Sequence, residues 1–204
     1  MPHMETNTRA VALVDLAGGV WVVSLYSMLF PSVPAGAVLL KLVAICASGF
    51  YHGTAETSPW KDAALSTDFL AIPLWGAAEL LLFAQGDTTY LLSISVFCCI
   101  FGLLNAVLVF LERNEARNHS LGIYFATCLA WIGLRAVLMP GVGELACWLF
   151  LWTVVLFACA WCVTPLNSQH YTRAPWHTEG WGYHCDFHVL LYASDTLLTV
   201  LSVL

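Results

Sequence analysis

The chain has 204 residues, 60% of them hydrophobic and only 10% charged, with a mean hydropathy of +0.78, whereas soluble domains carry roughly 25% charged residues. That composition excludes a water-soluble globule, which has no means of hiding so much apolar surface. The net charge of −6 is spread thinly over short connecting segments without an acidic or basic tail, which excludes nucleic-acid binding.

A helix needs about 20 mainly apolar residues to cross a bilayer, and lipid-exposed backbone must satisfy its own polar groups. Runs of that kind predict seven spans, over residues 10–30, 34–54, 64–85, 90–111, 120–139, 145–165 and 184–204. The expected fold is an all-α integral membrane protein: a bundle of seven transmembrane helices forming one domain over residues 1–204. The first span follows the N-terminus without a small-residue cleavage pattern, so no cleavable signal is expected.

In chain order, span one carries Asp15 and stops at the Pro31–Pro34 break. Span two carries Lys41, Ser48 and His52, and the Thr57–Asp62 break follows. Span three holds Asp68 and Glu79 before Gln85–Thr89, and span four runs to the Glu112–Ser120 break. Span five contains Arg135 and meets Pro140–Gly143. Span six contains Cys159 and Cys162 and leads into the longer Pro165–Tyr183 connection, and span seven holds His184, His188 and Asp195.

Seven of the eight cysteines lie inside apolar runs and read as small core residues, and the lone CxxC of Cys159 and Cys162 has no redox-fold context. Arg9, Lys61, Arg113, Arg117 and Arg173 all fall on one side of the predicted topology, which places the N-terminus in the cytoplasm. Asp15, Lys41, Glu79, Arg135 and Asp195 lie inside spans, where ionisable groups are expensive, and read first as structural pairs or helix-end residues.

A different set gathers at one membrane face: Ser48 and His52 where span two ends, Asp68 where span three begins, and His184 and His188 where span seven begins. Residues four apart share a helix face, so His184 and His188 can aim two imidazoles at one ion. With His52 as third nitrogen ligand, three protein groups plus water make the open type of zinc site. An isolated HxxxH reads first as two unrelated polar residues at a wet helix end; the five-residue constellation is what favours the metal. His3, His119, His170 and His177 read as solvated loop residues, the last two near an entrance.

The pattern Ser48-Gly49-Phe50-Tyr51-His52, Asp68, and His184-Cys185-Asp186-Phe187-His188 resembles the CREST superfamily of seven-helix membrane proteins, which includes alkaline ceramidases, PAQR receptors and the post-GPI-attachment phospholipase and myomaker branch. The step from His52 to Asp68 is most similar to that last branch, although Gly53 to Glu56 lack the cysteine usual there. The resemblance implies zinc on His52, His184 and His188, with Asp68 and Ser48 contacting the activated water or the developing oxyanion.

The expected function is zinc-dependent hydrolysis of a lipid amide or acyl ester, with a membrane lipid and the bilayer as partners. The rival is a non-enzymatic receptor or membrane-remodelling protein in which zinc only joins helices. A transporter using the scattered intramembrane charges is a third reading, without the inverted repeats typical of that class.

Overall fold

The structure, a computed structural model, describes residues 2–29, 32–55, 57–84, 86–138, 143–168 and 183–204. Among these the chain is all helical, with no strand: α1 Pro2–Leu29, α2 Ala35–Gly53, α3 Lys61–Leu82, α4 Thr88–Phe110, α5 Asn114–Leu138, α6 Glu144–Ser168 and α7 Tyr183–Ser202. Four helices, α1 from Arg9 onward and all of α2, α3 and α4, are long and apolar enough to cross a membrane, and α6 adds a shorter apolar stretch, Glu144–Ala160.

The side-chain distribution is inverted relative to a soluble bundle. Leu13, Leu16, Leu39, Leu92, Ile100, Leu103 and Phe110 face outward, while Asp15, Lys41, His52, Glu79, Asn105 and Asp195 are buried. Apolar outside and polar inside is the arrangement lipid selects, and it marks a membrane-associated protein.

Two expectations need correction. The Glu112–Ser120 break shrinks to Leu111–Arg113, because α5 begins at Asn114 and takes the polar stretch through His119 into its first turns; hydropathy marks where the apolar layer starts, not where a helix starts. Arg117 is therefore helical, and α6 likewise runs past Pro165 to Ser168. The cysteines are not uniformly core residues: Cys46, Cys99, Cys147, Cys159 and Cys162 are exposed free thiols, and Cys128 and Cys185 are buried. A small weakly polar side chain suits a lipid-facing surface as well as an interior.

Helix α3 is central, packing against α2, α4, α5 and α7. Its buried residues include the small Ala64, Ala71, Gly76 and Ala78, which let neighbouring backbones approach closely. At Gly76 a Cβ would stand 2.5 Å from the Tyr124 ring, so a larger residue displaces that ring.

Pro73 lies inside α3 and has no N–H to give the Phe69 carbonyl one turn earlier. The Asn105 amide on α4 fills that vacancy, donating to Phe69 O at 2.7 Å, and Tyr124 Oη donates to Pro73 O at 2.7 Å.

Around α3 the remaining helices close a ring, with α1 against α2 and α7, and α6 against α7. In the interior, the Lys41 ammonium donates to Glu79 Oε1 and, at 2.5 Å, to Asp195 Oδ1, and sits 3.9 Å from the Trp75 ring centroid. Three of the five intramembrane charges thus form one buried cluster, and Arg135 reaches Asp87 at 3.1 Å. The structural reading holds for these four and not for Asp15.

Candidate metal centre

His52 occupies the last turn of α2, whose end is fixed from the next helix. Lys61, opening α3, donates to Tyr51 O at 3.1 Å and Thr54 O at 3.2 Å, and a cation suits the carbonyl-rich end of a helix. His184 and His188 lie in the first turns of α7, one turn apart on the same face.

The three imidazoles converge. His184 Nε2 lies 3.1 Å from His52 Nε2 and 3.2 Å from His188 Nε2, and the three ligand atoms fall within 4.8 Å of one another. Four-coordinate zinc with bonds of 2.0–2.1 Å requires ligand separations of about 3.3 Å along a tetrahedral edge. The two measured edges are close to that, and the His52 and His188 rings are perpendicular, with centroids 5.4 Å apart. Such a donor set fits a metal ion. Among the described residues the backbones of α2 and α7 have at most sparse direct contact, and side chains reach between the two helices.

Asp68, on the first half of α3, lines the same cavity as the three histidines rather than joining them as a fourth ligand. This cavity has a volume of about 520 Å³, within the range of small-molecule sites. Its polar end carries the histidines, Asp15, Asp68 and Arg117, and its walls are apolar, including Ile72, Phe125, Phe157 and Leu191. Ser48 is present in the lining, but its hydroxyl donates to Asp15 Oδ2 at 2.8 Å.

Three residues of the site escaped sequence reasoning. Asp15, only 1% exposed, accepts from Ser48 and from Tyr192 Oη at 3.1 Å, and its Oδ1 lies 2.8 Å from His188 Nδ1. Tyr192 had a legible signal, because it continues the four-residue spacing of His184 and His188 along α7. Arg117, 6% exposed, places its guanidinium 3.5 Å from the Phe69 ring centroid and within the electrostatic reach of Asp68; a basic residue in a polar stretch gave no hint of that. His119 is exposed on α5, while His170 and His177 lie outside the described residues. Comparison with protein-family models, curated proteins and solved structures finds no match for this chain.

Proposed function

We propose that the chain is a seven-span membrane hydrolase of the CREST type, holding zinc on His52, His184 and His188 and cleaving an amide or acyl ester of a membrane lipid. The observation that carries this reading is the convergence of three Nε2 atoms at the polar end of an apolar-walled cavity that also contains Asp68. Zinc held there would polarise the scissile carbonyl and acidify water.

The chain's own residues supply the rest. Asp68 accepts the proton of the water whose oxygen attacks the carbonyl carbon, and passes it to the leaving oxygen or nitrogen as the acyl bond breaks, giving a fatty acid and an alcohol or amine. Ser48 has its proton committed to Asp15, so carbonyl polarisation falls to the metal rather than to that hydroxyl. The apolar walls accept an acyl chain entering sideways from the bilayer. The bias of lysine and arginine toward the connections at this end supports a cytoplasmic side for the site and for the N-terminus.

The non-enzymatic reading draws on one observation of its own: His52 and His184 meet between two helices whose backbones have little direct contact. A metal there would fasten them.

Metal analysis combined with lipid-hydrolysis profiling separates the two. Asp68→Asn is expected to retain zinc while hydrolysis falls by roughly 10² to 10⁴, the usual worth of a general base. His188→Ala is expected to lose zinc and activity together and to melt at lower temperature, since metal binding stabilises only the folded state. Zinc without turnover in the wild-type protein would favour the fastening role, and full turnover by Asp68→Asn would remove Asp68 from the mechanism.

A further inference from the structure

We infer that Asp15 is the positioning residue of the metal centre, fixing through His188 which imidazole nitrogen faces the ion, so that α1 belongs to a site whose ligands all lie on α2 and α7. The inference rests on the metal reading above and adds a residue outside the Ser-His, Asp, His-His pattern.

A carboxylate only accepts, so each of its three close contacts must be the donor. With Nδ1 2.8 Å from Asp15 Oδ1, the tautomer that suits the carboxylate has its proton on Nδ1 and leaves the Nε2 lone pair facing His184 Nε2. Carboxylate–imidazole pairs of this kind set tautomer and ring orientation in metal sites. His52 differs, because its buried Nδ1 has no hydrogen-bond partner among the described residues.

Asp15 is itself held by two hydroxyls. Ser48 Oγ on α2 donates to Oδ2, and Tyr192 Oη on α7 donates to Oδ1. These contacts assign Ser48 a supporting role behind His188.

A second observation points the same way. At Gly18, one turn beyond Asp15, an added Cβ would stand 2.2 Å from the Tyr192 ring. Only glycine lets the ring lie against α1 and bring its hydroxyl to Asp15.

The test is zinc affinity, measured on the full-length protein in detergent by competition with a chromophoric chelator, with the visible spectrum of the cobalt-loaded form as a second readout. Asp15→Asn is expected to weaken zinc binding by about 10- to 100-fold, the usual effect of losing such a partner, and to alter the cobalt spectrum. Tyr192→Phe and Ser48→Ala should each cost less, because Asp15 still faces His188. Gly18→Ala removes no polar group and should match Tyr192→Phe.

If Asp15 only ties α1 to its neighbours, Asp15→Asn will melt earlier but bind zinc with wild-type affinity, and that result overturns the inference. Should Asp15→Asn fail to fold, the Ser48→Ala/Tyr192→Phe double variant decides: unchanged affinity overturns the inference, and weakening beyond either single variant supports it. Failure of the metal reading is distinct, since the wild-type protein would then bind no zinc at all.

Discussion

Asp87 makes two contacts with one carboxylate at the start of α4. Its side chain accepts the Tyr90 backbone N–H at 3.0 Å, capping the helix, and the Arg135 guanidinium at 3.1 Å. The Tyr90 N–H first, and Arg135 after it, hold the carboxyl below the usual carboxylate range. A depressed native value means the contribution is fully present above the range where the unfolded chain titrates, and is lost as pH falls through the native value. The melting-temperature gap between wild type and Asp87→Ala is therefore expected at neutral pH and should shrink on acidification; a gap independent of pH would show that the charged form is not what stabilises. The same scale explains what could be read without coordinates. His184 and His188 were legible because helical spacing alone puts them together, and Asp68 because it begins the neighbouring span. Asp15 was visible as an ionisable residue within an apolar run, but its partners were not. Ser48 and Tyr192 lie 33 and 177 positions away, and no local periodicity encodes contacts of that range.

Among the helices, α3 and α4 offer the sharpest test of how a proline is accommodated within an apolar layer. The Phe69 carbonyl deprived of its helical partner by Pro73 is served by Asn105, and without that donor a buried acceptor costs about 1–3 kcal/mol. Asn105→Ala is expected to destabilise by at least that much. In a Pro73→Ala background the restored N–H at position 73 satisfies the same carbonyl, so Asn105→Ala should cost about 1 kcal/mol less. A double-mutant cycle on thermal or denaturant unfolding reads the difference, and strict additivity would refute the compensation. Element identity followed from apolar run length, which is why all seven predicted segments coincide with helices. Element ends did not, since the polar turns of α5 hydrogen-bond as a helix beyond the apolar layer.

Across the whole molecule, the Lys41–Glu79–Asp195 cluster gathers three buried charged groups from three helices. Removing one partner of a buried ion pair leaves the other uncompensated, at about 3–5 kcal/mol. Lys41→Met is expected to lower stability by that order, and the triple variant Lys41→Met/Glu79→Gln/Asp195→Asn to recover most of it. Equal stability in the single and triple variants would show that charge pairing is not the source. The cluster draws on α2, α3 and α7, the same helices that supply His52, Asp68 and the two remaining histidines. Lys41 precedes His52 by eleven residues on α2, about 16 Å along the axis, so α2 and α7 are joined at two heights by side chains of different chemistry. If the histidine cluster holds an ion as proposed, losing it would loosen only one of those heights. The ion-free protein should then persist as a loadable bundle, parted at its histidine end and clasped at the other, and ion exchange would proceed by local opening without global unfolding.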